Sequence, residues 1–222
     1  MVSTRDDVRE LFVRHGQVDV FDWVEDILDQ LDGRRANHRV AEIELVRGDL
    51  EVADLSRESP FILVVDGNLR ATGDLDFATG SLVVVMGEVT ARNFRFGGSV
   101  FINRNLTLTG DCFGDHGDES AVLYCQKLSA RALLLDHVTG VHVTELDCIV
   151  CSAEGWGLPQ HIDYEAKDTH AELFVPEVLR DNAFSVEAAY ACAHAGEDIF
   201  LPGVHERLRA TKPPPVVRNK PH

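Results

Sequence analysis

The feature that most constrains this chain is a short apolar–glycine pattern that returns at nearly constant spacing. It reads Val46-Arg-Gly-Asp-Leu50, Val65-Asp-Gly-Asn-Leu69 and Val85-Met-Gly-Glu-Val89, with weaker copies at Ile102-Asn-Arg-Asn-Leu106 and Tyr124-Cys-Gln-Lys-Leu128. The closing aliphatic recurs after 19, 20, 17 and 22 residues, and Leu146 follows 18 further on. Within each copy the apolar positions alternate, as in Leu63, Val65, Gly67, Leu69 and Ala71 or Val122, Tyr124, Gln126, Leu128 and Ala130. A second apolar pair then follows: Leu75/Phe77, Phe94/Phe96 and Leu133/Leu135. A period of two is the signature of a strand, because successive side chains point to opposite faces. A longer period of near 20 residues means stacked units, none of which buries its apolar side alone. The expectation is two alternating strands per repeat, joined by Gly-rich corners.

Three solenoids compete for this pattern. A left-handed hexapeptide helix accounts for Leu63, Leu69 and Leu75, but Arg95 and Cys112 break its six-residue series. A leucine-rich repeat calls for an Asn/Cys ladder after L-x-L, and none recurs. A mainly β chain forming a single-stranded parallel β-helix of about five to six coils fits best. Its open ends expose strand edges, and helices at both chain termini are the expected caps. The first helix is capped by Thr4, with Asp6 and Asp7 in its positive first turn and Val8, Leu11 and Phe12 on one face, and stops at Gly16. Asp19 is expected to cap the second, whose Val20, Trp23, Val24, Ile27, Leu28 and Leu31 recur at helical spacing up to Gly33. The organisation is therefore a helical N-terminal cap at 1–40, β-helix repeats at 41–151, a loop and helical C-terminal cap at 152–211, and a Pro-rich tail at 212–222. Asp111–Ser120 reads as a polar insertion lengthening one coil, and Ser152–Ala171 as a long loop. Pro176 opens a short helix to about residue 180, and Ser185 caps another that ends at Ala195 before Gly196. The tail from Lys212 reads as an exposed, extended segment.

The repeats Val65-Asp-Gly-Asn-Leu-Arg-Ala71, Val85-Met-Gly-Glu-Val-Thr-Ala91 and Lys127-Leu-Ser-Ala130 resemble those of the bactofilin-like, polymer-forming β-helix proteins of bacteria. The chain is similar in particular to a degenerate branch with an insertion like Phe113-Gly-Asp-His-Gly117 and a later Asp136-His137. The likeness covers roughly residues 41–150. It implies the fold, and for the degenerate branch an immunity-type role against bacterial toxins. Bactofilins polymerise end to end through uncapped coils, whereas this chain carries predicted helices on both sides of its repeats.

Charge narrows the function classes. The chain holds 37 acids against 21 bases, a formal net charge of −16. Residues 61–110 are neutral, residues 111–206 carry 18 acids and four bases, and the stretch from Arg207 carries five bases and no acid. So acidic a balance excludes a general nucleic-acid or anionic-membrane binder, which needs a basic footprint. No apolar run approaches the roughly 20 residues that span a bilayer. The N-terminal stretch has early acids and no apolar core, so no secretory signal is expected. Cysteines 112, 125, 148, 151 and 192 form an odd set without a framework, which fits reduced thiols in a cytoplasmic protein.

The candidate chemistry is sparse. Cys148-Ile-Val-Cys151 is a C-x-x-C, but on a strand residues three apart point to opposite faces, so the two thiols are not expected to share a metal. Asp115, His116 and Asp118 share an acidic loop, with Asp136 and His137 expected one coil away and His142 on a strand. No G-x-S-x-G, P-loop, H-E-x-x-H or deaminase pattern is present, and the glycines precede no helix that might cradle a phosphate. The expectation is a protein that is no enzyme and takes no cofactor and no metal. Its expected role is to bind a basic protein partner, with a toxin domain neutralised by an immunity protein as the concrete case. The expected binding surface is Asp111, Asp115, His116, Asp118 and Glu119, with Trp156 as aromatic anchor and Asp163, Glu165 and Asp168 beyond it. The alternative is a self-assembling, bactofilin-like scaffold, which makes a homo-oligomer the second partner class.

Overall fold

The structure, a computed structural model, describes residues 4–33, 42–57, 61–77, 79–115, 121–135, 140–152, 162–163 and 167–210. Helix α1 (Arg5–Arg14) begins with a capping box. Thr4 Oγ1 accepts from the Asp7 N–H, and Asp7 Oδ2 accepts from the Thr4 N–H at 2.8 Å. Helix α2 (Val18–Gly33) starts one residue earlier than its expected cap. Asp19 therefore lies in the first turn, where its charge meets the positive end of the helix dipole.

Next come three short strands per coil, not two. The first coil comprises β1 (Ile43–Val46), β2 (Leu50–Val52) and β3 (Leu55–Arg57). The second comprises β4 (Ile62–Val65), β5 (Leu69–Ala71) and β6 (Leu75–Phe77). The third comprises β7 (Leu82–Val85), β8 (Val89–Ala91) and β9 (Phe94–Phe96). The fourth comprises β10 (Ser99–Ile102), β11 (Asn105–Leu108) and β12 (Cys112–Gly114). In the last two coils the strands run on around the corners as β13 (Val122–Leu135) and β14 (Gly140–Ser152), and β15 (Ile162–Asp163) adds one more rung. All pairings among β1–β15 are parallel, so like strands stack into three flat faces of one parallel β-helix. The alternation in the sequence runs unbroken from Leu63 to Ala71 because the chain turns its first corner at Asp66-Gly67 without losing inward–outward register. That is why two strands read as one.

The predicted repeat anchors stack in register. Leu50, Leu69, Val89, Leu106, Leu128 and Leu146 lie one above another on the second face. They point inward into a single core that also contains Leu75, Phe77, Phe94 and Phe96. Phe77 and Phe94 meet edge to face at 5.5 Å. Each such fully buried side chain contributes about 1.5–3 kcal/mol. The first coil departs from the apolar interior. Glu44 and Arg57 occupy positions that are inward in the next coil, opposite Leu63 and Phe77, and pair with each other at 3.6 Å. Inward charges on an edge coil oppose the stacking of a further coil.

The corners carry a polar ladder of their own. Asp49 Oδ1 accepts from the Asn68 N–H (2.8 Å), and Asn68 Oδ1 accepts from the Glu88 N–H (2.9 Å). At the second corner Asp54, Asp74 and Asn93 accept in the same way from the backbone N–H of Asp74, Asn93 and Asp111. Each side chain satisfies a donor that the turn has taken out of the sheet. The arginines use the same stacking: Arg70 reaches back one coil to Asp49, Arg92 to Asp74, Arg95 to Asp76 and Arg131 to Asp111.

The helices occur at both chain termini, and their apolar sides rest on the flanks of the solenoid. Val8, Leu11, Phe12, Phe21, Val24 and Leu28 pack with the outward Ile62, Val64, Leu82, Val84 and Phe101 of the first face. Helices α3 (Val186–His194) and α4 (Val204–Ala210) pack with the outward Phe113, Leu134, Ile149 and Cys151 of the third. Ser185 caps α3 as expected, and Gly196 follows it with φ +83. Between Pro176 and Phe184 the expected helix is instead one 3-10 turn (Pro176–Val178) and a hairpin of β16 (Leu179–Arg180) and β17 (Ala183–Phe184). Asp181 and Asn182 supply the two positive φ values, 50 and 61, that a two-residue hairpin turn demands. Of the expected loop at 152–171, the described parts are β15 and a 3-10 helix (Lys167–Glu172).

Candidate interaction surface

Among the described residues, helices clad two of the three faces and leave the second uncovered. Its outward side chains form two rows along the stack, with rungs about 4.8 Å apart. One row runs Glu51, Arg70, Thr90, Thr107, Ser129 and Asp147. The other runs Asp49, Asn68 and Glu88, linked by the ladder, and then Asn105, Lys127 and Glu145. No apolar residue stands in either row, and among the described residues neither apolar helix cluster extends onto them. Five acids stand against two bases. Both bases are engaged within the face, Arg70 with Asp49 at 2.6 Å and Lys127 with Glu145 at 2.5 Å. The Asn68 backbone N–H, then its side-chain amide and Arg70, hold the Asp49 carboxyl down to about 2. The Glu145 pair likewise raises Lys127. Both bases of the face are thus tied into ion pairs along its rows.

A second polar seam fastens the C-terminal segment to the corner between the second and third faces. Asp74, 2% exposed, takes a bidentate pair of bonds from Arg92 at 2.8 and 2.9 Å. Its Oδ2 lies 2.6 Å from His194 Nδ1. Burial opposes the Asp74 charge, yet Arg92, His194 and the Asn93 N–H prevail and hold its carboxyl below the usual range. Arg92 and Asn93 also donate to the carbonyls of His194 and Ala193, so solenoid side chains satisfy the last turn of α3. The Arg95 guanidinium stacks 4.8 Å from the Tyr190 ring, and burial drives that phenol's pKa up. The N-terminal helices are fastened by a similar device: Asp66 takes Arg14 at 2.7 Å and His15 Nε2 at 2.9 Å. These carboxylates at corners are docking points within the molecule.

The expected acidic surface fares unevenly. Asp111 is 1% exposed and commits both oxygens to Arg131, at 3.0 and 2.6 Å, while Arg131 also reaches Asp198. Burial pushes its carboxyl up against the pull of Arg131. Asp111 therefore belongs to the seam and not to an exposed binding face, because it stands at the corner just before β12, where Arg131 of the next coil covers it. Asp115 is half-exposed, 4.0 Å from Arg95. His116, Asp118, Glu119, Trp156 and Glu165 lie outside the described residues, as do Asp136 and His137. The backbone of Asp163 follows the third face three rungs beyond Gly114, roughly 14 Å along the stack. Asp168 lies in the 3-10 helix, and the side chains of both are outside the described set. His142 stacks on Tyr124 at 4.3 Å, on the clad first face. Cys148 points into the solenoid core and Cys151 outward under the C-terminal helices, the opposite-face geometry that strand alternation requires. Among the described residues no group of three or more His, Cys, Asp or Glu could hold a metal ion, and no helix is long and apolar enough to cross a membrane.

The second face escaped sequence reading because its signal is polar. Gly48-Asp-Leu50, Gly67-Asn-Leu69, Gly73-Asp-Leu75 and Gly110-Asp-Cys112 share a small–acid/amide–apolar pattern that marks a corner and its ladder. The residue after each first-corner apolar anchor, Glu51, Arg70, Thr90, Thr107, Ser129 and Asp147, then reads out the face.

What the fold and surface define is a three-sided parallel β-helix with helices along two sides and a polar third side that no described helix covers. In comparisons with known proteins the chain matches no family model, no curated protein and no solved structure.

Proposed function

We propose that this chain is a non-enzymatic binding protein that receives a basic protein partner on the second face, with neutralisation of a bacterial toxin domain as the concrete case. The observation that carries the reading is selective cladding. Helices cover the first and third faces, while the second presents two straight rows of polar side chains with an excess of acids. A flat, preorganised acidic array speeds the encounter with a basic surface and fixes its register, and the rigid ladder limits the ordering cost on binding. The half-exposed Asp115 lies on another face and is no part of this surface.

Self-assembly through the first coil is the weaker reading, because the inward Glu44–Arg57 pair sits where a further coil would have to stack.

The test pairs the chain with the product of its neighbouring gene and compares a variant carrying Glu88→Gln, Glu145→Gln and Asp147→Asn. At low ionic strength the variant is expected to associate at least about ten-fold more slowly and with a flatter salt dependence. Unchanged association, or a neighbouring product that is no toxin and does not bind, defeats the proposal.

A further inference from the structure

The C-terminal stretch of the chain is basic, and it begins at the end of the acidic face. From Arg207 onward there are five bases and no acid. Helix α4 ends at Ala210, and Arg209 Nη2 in its last turn lies 3.9 Å from Asp147 Oδ1, the terminal rung of the second face. His205 Nε2, on the same helix, lies 3.2 Å from the Arg131 carbonyl at the adjoining corner. The chain therefore leaves α4 beside the face, with an ion pair already formed across the boundary.

Reach and composition both fit the face. Residues 211–222 carry Lys212, Arg218 and Lys220 against no acid, and include Pro213-Pro-Pro215. At about 3.1 Å per residue in an extended polyproline geometry, twelve residues span roughly 37 Å. The six rungs from Asp147 to Glu51 span only roughly 24 Å. Prolines have few conformations to lose, so laying such a segment on a flat surface costs little entropy. Polar hydroxyls and amides along the rows suit a segment held by charge and backbone contacts, with no pocket required.

We propose that the second face is the docking surface for the chain's own basic tail, residues 211–222, which runs from Asp147 towards the first coil. The acids Asp147, Glu145 and Glu88 are the partners for its Lys212, Arg218 and Lys220. This surface accepts an extended, basic, proline-containing segment as its class of ligand, with the tail as the resident example. On the reading that a basic partner uses the same face, the tail is the competitor that such a partner displaces.

The test uses the full chain and no partner, so its outcome is independent of the proposed function. A nitroxide is placed at Val217→Cys in isotope-labelled protein; the five native cysteines are buried, and the unsubstituted chain serves as the labelling control. The geometry predicts broadening of the amide signals of Arg70, Thr90 and Thr107 at an ionic strength of about 0.02 M, with Tyr124 and Phe113 spared. Raising the salt to about 0.5 M, where charges are screened beyond roughly 4 Å, is expected to restore those signals. The triple variant Glu88→Gln, Glu145→Gln and Asp147→Asn should restore them as well. Broadening that is absent, that falls on the first or third face, or that survives both treatments overturns the proposal. Equal broadening when labelled and isotope-enriched chains are different molecules also overturns it, because the occupant is then a second copy.

Discussion

Gly87→Ala tests the corner geometry on which the whole stack depends. A Cβ at Gly87 would stand 2.6 Å from the Gly67 oxygen and 2.7 Å from its carbonyl carbon, where ordinary contact begins near 3.5 Å. The obstacle is space, since Gly87 does not have a positive φ. It is also backbone, held in place by the bonds the new methyl would strain. The Gly87 N–H donates to that same Gly67 oxygen at 2.7 Å, flanked by Met86 N–H to Val65 (2.9 Å) and Glu88 N–H to Asn68 Oδ1 (2.9 Å). Overpacking of this kind costs about 1–3 kcal/mol. Loosening two hydrogen bonds adds about 1 kcal/mol each. The expected loss is thus about 3–5 kcal/mol, a fall in Tm of roughly 10 °C for a domain of this size. Gly48→Ala is the control at the equivalent corner one coil below Gly67. Gly48 has φ +93 and nothing within 4 Å of its would-be Cβ, so only backbone strain of about 1–2 kcal/mol is expected. Urea unfolding followed by far-ultraviolet circular dichroism measures both. A Gly87→Ala protein no less stable than Gly48→Ala would refute the close-approach argument.

Further outcomes follow from the same structure. The Asp49 carboxyl is held down to about 2, so its contribution to stability is complete above the ordinary carboxylate value and is lost as pH falls through about 2. Asp49→Asn should therefore flatten the acid limb of Tm against pH below about 4, and an unaltered limb counts against the ladder. Burial lifts the Cys125 thiol to about 12 and Cys112 well above its ordinary value. A disulfide reagent at pH 8 is expected to label neither in the native protein and both in urea; native labelling of either would contradict the buried placement. Replacing Glu44→Leu and Arg57→Leu together removes the inward charges of the first coil, and light scattering is expected to show concentration-dependent association that the parent chain lacks.

Much of the fold was legible because apolar periodicity is set by the core. The anchors from Leu50 to Leu146 stack in the order their spacing dictates, and Thr4 and Ser185 cap the helices they precede. The number of faces was not legible, because inward residues keep alternating through the Gly67 and Gly87 corners. The position of the helices was hidden too. Ile62, Val64, Leu82 and Val84 are apolar on the outward side of their strands, and runs such as Ile62-Leu-Val-Val65 signal that a strand is covered on both sides. That run was the available clue that helices lie along the flank. One member of the expected surface, Asp111, proved buried for a different reason. Net charge counts every carboxylate alike, whereas Asp74 and Asp111 are buried in ion pairs and only the structure separates them from Glu51 or Glu88 on the open face.

The most direct test of the central claim places a positive charge on the bare face without touching the core. Thr107 is exposed, points outward between Thr90 and Ser129, and has no part in the corner ladder. Thr107→Lys is expected to leave the unfolding free energy within about 1 kcal/mol of the parent and to weaken binding of a basic partner at least about ten-fold. Glu187→Lys, a larger change in charge at an exposed position of α3 on another face, is expected to leave binding near the parent value. Equal losses from the two substitutions, or none from Thr107→Lys, would contradict the assignment of the second face as the interaction surface.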